Sequence, residues 1–583
     1  MGSGDLIPRI YSNFRGVDFR GEEINLVRSP DSLNVWKDYK ETESIRTRPG
    51  MERVEEFLTV YGVYFYTAGT TEMMLVHSGQ TLYRVVDGKN KPIYEGLNAR
   101  KGDAFIYNNL WFFKDGKNYL QYDGETIKEV EGYVPTTTIA RKPIDHPGSK
   151  GSGGTVYEDV NLLSNFRINS FIGDGTGEYF DLDVPDYDIE STMFGEITIN
   201  GKVVYPVKTT KPDEPETEAE YSVTWLSDIG RVVIRPAPPA PPTEGQDNVK
   251  IKFVRSADRS KITNCTLLQV FDNRVFFSGN KDYPNMIWHC SLNDPTYCSD
   301  LDYYNEGLDT ADVKGMVAGN NALWVFKEPS QANTAVFYHT PTIDSEYGKI
   351  YPNTHSSIAT GCIGKAINFN DDILFFSDRG MEGISGDVTS EQVIAHRSTL
   401  IDRKMTKEAN YKNMVLAEWE GYLLVFIGKR VYLADSRSMF TNENHVEYEW
   451  FYWELDKKVN CATVNKGILY LGTDDGVYTL TDTESDVESY WVTPKDKFKH
   501  PQYLKTTNKR GCVCEATGDI SVYAKTEKTD FELIGTYENV EDCFVSRIKR
   551  KKFKDIQLKF YSKTRFSLET ATLECFIGGY LKR

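Results

Sequence analysis

Seven stretches of the chain share one arrangement of apolar and polar positions: an apolar or aromatic run, a turn rich in Gly, Asp or Asn, then a second run. They read MMLVHSGQTLYRVVDG from Met73, LWFFKDGKNYLQYDG from Leu110, NRVFFSGN from Asn273, ALWVFKEPSQANTAVFYH from Ala322, ILFFSDRGMEGISGD from Ile373, YLLVFIGKRVYLADS from Tyr422 and ILYLGTDDGVYTLTD from Ile468. The last apolar residues of the first runs are Val76, Phe113, Phe277, Phe326, Phe376, Phe426 and Leu471, and the last five lie 49, 50, 50 and 45 residues apart. Short runs bounded by turn residues predict strands. The D-G dipeptides in VDG, KDG, YDG and TDDG predict tight hairpins, whose central positions need φ > 0. A period near fifty residues is too long for one hairpin and suits a four-stranded blade. The fold class expected is all-β: a β-propeller of about seven blades, with six to eight compatible with the pattern, because radial closure leaves few exposed strand edges. The competing arrangement is a row of unrelated hairpins in successive sandwiches.

The period breaks between Phe113 and Phe277. KPIDHPGSKGSGG (142–154) and PAPPAPPTEGQDN (236–248) read as linkers. Between them lie further short strand patterns and an N-G hairpin signal at Asn200–Gly201. Residues 142–256 are therefore expected to be a small inserted β-domain, and 55–141 with 257–484 the propeller. The acidic KPDEPETEAE (211–220) reads as a solvated loop, with contact to a basic partner as the second reading. Residues 485–583 carry another set of strands and are expected to form a C-terminal β-sandwich. Their basic cluster RIKRKKFK (547–554) runs into the strand DIQLKF, which favours a solvated strand face over a surface for an anionic partner.

Composition narrows the function classes. The 583 residues carry a net charge of −17, which argues against binding nucleic acid through its phosphates. The start lacks a basic region followed by an apolar one, and no run reaches the roughly 18 apolar residues of a spanning helix, so no secretory signal and no membrane segment are expected. The nine Cys form no C-x-x-C pair and read as buried free thiols, with Cys512 and Cys514 on one strand face. The eight His, among them His396 and His445, are scattered without ligand spacing and read as structural or surface residues. No phosphate loop, zinc-protease or nucleophile-elbow motif is present, and GDGTGE (173–178) precedes a strand, so it reads as a plain turn. No catalytic, cofactor-binding or metal-binding residue is nominated, no cofactor is expected, and the chain is expected not to be an enzyme. The enzymatic alternative is a glycan-degrading propeller with carboxylates converging in its central channel.

Residues 13–54 are dense and irregular. NFRGVDFRGEEINLVRSPDSLNVWKDY followed by IRTRPGMERV resembles the start of a family of bacteriophage structural proteins that includes β-propeller tail proteins of the tail tubular protein B, or nozzle, kind in short-tailed phages. NLLSNFRINSFIGDGTGEYFDL and YSVTWLSDIGRVVIRPAPP are similar to the inserted β-domain of such proteins, LLQVFDNRVFFSGNKDYPNMIWHCSLNDPTY and ALWVFKEPS to their blades, and WVTPKDKFKHPQYLKTTNKRG, KKFKDIQLKF and the closing GGYLKR to their C-terminal region. The resemblance implies a virion protein made and assembled in the bacterial host cytoplasm. It would form a homo-hexameric ring at the distal end of a short tail, touch other tail proteins (a tube or adaptor above, tip or receptor-binding proteins beside or below), and let genomic double-stranded DNA pass without specific binding. A receptor-binding or glycan-degrading propeller at the tail tip is the alternative.

On that reading residues 1–54 are an extended arm crossing to a neighbouring copy. Val35, Trp36 and Tyr39 would be its apolar anchors, and Arg15, Asp18, Arg20, Arg28, Asp31, Arg46 and Arg48 its charge-assisted contacts. Deleting residues 1–40 would then abolish assembly and leave a folded monomer. The competing reading packs this stretch on its own propeller or has it supply the ring-closing strand.

Overall fold

A computed structural model describes residues 6–39, 44–183, 195–205, 220–226, 229–254, 257–330, 334–346, 348–356, 358–385, 393–442, 445–482, 486–549 and 552–580. The chain is all-β, a β-propeller with seven four-stranded antiparallel sheets. It divides into two compact units, Asp103–Val313 and the remainder on either side of it.

In the larger unit, blade 1 consists of Val60–Ala68, Thr71–Ser78, Thr81–Val86 and Lys89–Glu95, and blade 4 of Val313–Gly319, Ala322–Lys327, Val336–His339 and Asn353–His355. Blade 5 consists of Ala366–Phe369, Asp372–Phe376, Met381–Ser385 and Val393–His396, and blade 6 of Val415–Trp419, Tyr422–Ile427, Arg430–Asn442 and His445–Glu454. Blade 7 takes Cys461–Asn465, Ile468–Gly472 and Val477–Thr481 from late in the chain and its fourth strand, Gly50–Glu55, from the start. The seven repeat-marking residues, Val76 to Leu471, all sit on second strands and are at most 1% exposed. A second strand is covered on both faces, which is why Ala322–Lys327 and Tyr422–Ile427 are buried without interruption and read as apolar runs, not alternations.

The hairpins between first and second strands use a signal richer than D-G. Asn108–Asn109, Asp272–Asn273, Asn320–Asn321, Asn370–Asp371, Glu420–Gly421 and Lys466–Gly467 all have positive φ at both positions, the backbone of the turn whose twist matches paired strands.

In the smaller unit, blade 2 (Asp103–Tyr107, Leu110–Lys114, Tyr119–Tyr122, Ile127–Glu129) and blade 3 (Leu267–Phe271, Arg274–Ser278, Met286–His289, Tyr303–Asn305) flank the insertion in sequence. The insertion is a six-stranded and a three-stranded sheet around Phe171, Phe180, Ile197, Val232, Ile251 and Phe253. Its first strand, Thr136–Lys142, begins before the expected linker. The N-G turn joins Glu196–Ile199 to Lys202–Tyr205. The acidic stretch 211–219 lies outside the described residues.

The C-terminal strands build one eleven-stranded sheet rather than a module of their own. Leu6–Tyr11 pairs with Phe566–Tyr580, Ser32–Leu33 with Ser489–Val492, Val35–Lys37 with Ile45–Thr47, and Ile45 and Arg46 with Leu568 and Ser567. The expected extended arm over 1–54 is corrected accordingly: its described strands pair within their own chain, and an unpaired extended segment would forfeit those bonds. Eight of the nine Cys are buried and free, and Cys512 and Cys514 share a face with their sulfurs 3.6 Å apart.

Candidate functional site

Of the ten residues singled out in the N-terminal segment, Val35 and Trp36 lie in one hydrophobic core with Tyr11, Phe14 and Ile45 beside Phe451, Trp453, Leu471, Trp491 and Leu568, and Tyr39 packs against it. Trp36 stacks on Trp419 at 5.4 Å and meets the edge of Trp453 at 5.6 Å. Val35 is fully buried beside it. Tyr39 donates to Asp435 Oδ2 at 2.5 Å and lies under the Arg437 guanidinium.

The charged residues pair within the same unit. Arg28 Nε and Nη2 donate to the two oxygens of Glu449 at 2.8 and 2.7 Å, with Arg15 Nη1 3.9 Å away on the same carboxylate. Glu449 is fully buried, and burial pushes its carboxyl above the usual range even with the guanidinium in place. Asp18, also fully buried, accepts from Arg20 Nε and Nη2 at 2.9 and 2.8 Å. Asp31 accepts from the Tyr490 hydroxyl, and Arg46 pairs with Asp38 and Asp482. Arg48 is buried and donates to Asn34 Oδ1 and to the carbonyls of Pro49 and Glu454, and burial pulls its guanidinium down to about 10. Between these pairs Gly16 (φ +114°) runs so close to blade 6 that a Cβ would sit 1.9 Å from the Trp450 carbonyl oxygen. Only glycine serves there. The structure gives each of these residues partners within its own unit, an internal clamp built of separate pairs; Arg15 and Arg20 keep side chains 39% and 41% exposed.

A second constellation escaped sequence reasoning. His396, at the end of blade 5, donates from Nδ1 to Glu382 Oε2 at 3.0 Å and from Nε2 to Asp402 Oδ2 at 2.6 Å. Ser398 Oγ donates to the other Asp402 oxygen, and Arg379 lies 3.2 Å from Glu382. The group lines an open depression with Thr399 and His445. No local spacing announces it, since Glu382 and His396 come from a strand pair and Asp402 opens the short helix Asp402–Met405. An imidazole donating from both nitrogens is held as the cation. Burial opposes that charge, but the bonds to Asp402 and Glu382 outweigh it and raise His396 to about 10. With an unfolded value near 6.5, this stabilisation is complete below about pH 6.5 and is lost as pH rises toward about 10. The expected result is a melting temperature that falls between pH 7 and 10, by at most about 1.4 kcal/mol of stability per unit, and a flatter slope in His396→Ala. Equal slopes for the two proteins would show that the imidazolium contributes nothing.

Among the described residues no group of three or more His, Cys, Asp or Glu is placed to hold a metal ion, and no helix is long and apolar enough to cross a membrane.

No family model matches the chain, and no curated protein matches it. Solved structures do. A streptogramin B lyase structure matches 74% of this chain and 97% of its own at 10% identity and a TM-score of 0.33. BamB from Moraxella catarrhalis matches 75% and 99% at 12% identity and a TM-score of 0.32. An exo-β-1,3-galactanase from Phanerochaete chrysosporium matches 89% and 100% at 9% identity and a TM-score of 0.18. The likeness is one of fold, and it corrects one expectation. The chain was expected not to be an enzyme; against that expectation, the matched structures include an exo-β-1,3-galactanase.

Proposed function

We propose that the chain is a structural subunit of a short bacteriophage tail, identical copies of which form the ring that builds the distal channel, or nozzle, through which DNA is ejected. The observation that carries this reading is the use made of residues 13–54, where the resemblance to tail proteins begins. They lace blade 6, blade 7 and the terminal sheet into one core. Such lacing makes a stiff block, and a ring that must hold its bore under a passing duplex needs stiff blocks.

The charge supports the same reading. DNA carries about one negative charge per 1.7 Å of axis, so a subunit with a net charge of −17 gives the duplex little to adhere to. The copies act in the virion tail after assembly in the host cytoplasm, between a tube or adaptor above and tip proteins beside or below.

Native mass spectrometry and negative-stain imaging test this directly. A closed ring of identical chains, formed by the purified protein or on addition of isolated tails, is the expected result. A chain that stays monomeric in both settings would end the proposal, and turnover of a host-surface glycan by that monomer would replace it with the glycan-directed reading.

A further inference from the structure

The terminal sheet carries a cleft that neither the clamp nor the channel reading uses. It is about 160 Å³ in volume, with Leu533, Ile534, Ile548, Phe553 and Ile556 forming an apolar floor beside Thr507, Thr526 and Thr529. Arg547 and Lys549 line it too, with Glu532 as the acidic contribution. Arg547, Lys549 and Lys552 are exposed, and Lys509 and Arg510 are exposed in the adjoining strand, where a Cβ built at Gly511 would sit 2.9 Å from the Arg547 Cα. In a chain of net charge −17 this is a concentrated cationic rim. Leu533 is 55% exposed within it. Thr507, which lines the cleft, is 1% exposed, and its buried hydroxyl makes no hydrogen bond. A buried hydroxyl without a partner costs free energy that an incoming donor or acceptor recovers. The strand Thr529–Val540 along the cleft pairs only with Tyr503–Thr526 among the described strands, so its other edge can receive an extended peptide.

We infer that this cleft is a docking site for residues 184–194 (VPDYDIESTMF) of a second copy of the chain. Apolar floor, cationic rim and open strand edge together call for an extended segment that alternates acidic and apolar residues. Asp186, Tyr187, Asp188, Ile189 and Glu190 do so. Docked as a strand, they send Tyr187 and Ile189 to one side and three carboxylates to the other. The acidic stretch 211–220 matches the rim in charge, but its only apolar residues besides its prolines are Ala219. A nucleic acid would use the rim and leave the apolar floor empty. The contact joins two different surfaces of identical chains, the kind that closes into rings or runs on as filaments. It deepens the ring reading by naming one copy-to-copy contact.

A fluorescent peptide spanning residues 183–195, titrated into the full-length protein and followed by anisotropy, tests the site. Saturable binding is expected, weakened at least about tenfold by Arg547→Glu with Lys549→Glu, exposed substitutions whose folding is checked by thermal melts. A peptide carrying Tyr187→Ala and Ile189→Ala should lose a similar factor. No saturable binding, equal binding of a scrambled peptide, or full competition by a short DNA duplex would each overturn the assignment. Saturable, sequence-dependent binding to a chain that never assembles would sustain the cleft's specificity and count against the ring reading alone.

Discussion

Removal of residues 1–40 is expected to unfold the larger unit instead of releasing a folded, assembly-defective propeller. The deletion takes the strands Leu6–Tyr11, Ser32–Leu33 and Val35–Lys37 out of the eleven-stranded sheet. It also removes Tyr11, Phe14, Val17, Val35 and Trp36, none more than 3% exposed. At about 1.5–3 kcal/mol for each large apolar side chain, these five account for roughly 10 kcal/mol, as much as the whole stability of a typical domain, about 5–15 kcal/mol. The loss also strands the Glu449 carboxylate without Arg28. A cooperative thermal melt near the full-length midpoint, with unchanged resistance to protease, would contradict this and revive the detachable arm.

Arg28→Met is expected to cost about 3–5 kcal/mol, the penalty for leaving one member of a buried ion pair alone. Glu449 is fully buried and already titrates above the usual carboxylate range through burial. Without the guanidinium its folded value moves further up. A carboxyl whose folded value is raised binds its proton more tightly in the folded state, so stability falls as pH rises from the unfolded value, about 4.3, through the folded one. The deficit measured by urea unfolding should therefore be larger at pH 8 than at pH 4.5. Arg28→Met combined with Glu449→Gln should recover most of it, because a neutral amide is cheaper to bury than a lone charge. A deficit that is independent of pH and unrelieved in the double variant would place the role of Arg28 in its packing over the Phe440 ring and not in the ion pair.

Both results bear on the ring reading proposed above, since first forty residues that are structural cannot be spent on a neighbour. On that reading contacts between copies come from surface that the fold leaves open, and the cleft beside Leu533 is such a surface.

The blades were legible because a second strand covered on both faces must be apolar along its whole length, and hairpins must supply φ > 0 at their centres. Val76, Phe113, Phe277, Phe326, Phe376, Phe426 and Leu471 satisfy the first condition. The second is met by pairs such as Asn320–Asn321 and Asn370–Asp371, a periodic signal that attention to D-G turns alone passes over. The stretch HVEYEWFYWE also held a readable hint: Glu447 and Glu449 inside a buried aromatic run demand partners. Which partners could not be read, because Arg28 lies 421 residues away.

The amino-acid sequence by itself determined the all-β class, the fifty-residue blade and the place of the insertion, since each follows from local alternation and turn chemistry. Tertiary structure alone decided that the opening segment is a clamp and not an arm, that Gly50–Glu55 finishes blade 7, and that His396 is held between Glu382 and Asp402. Those outcomes depend on strand pairing and charge neutralisation between residues distant along the chain, and no periodicity within a short window records which distant edge a strand will meet.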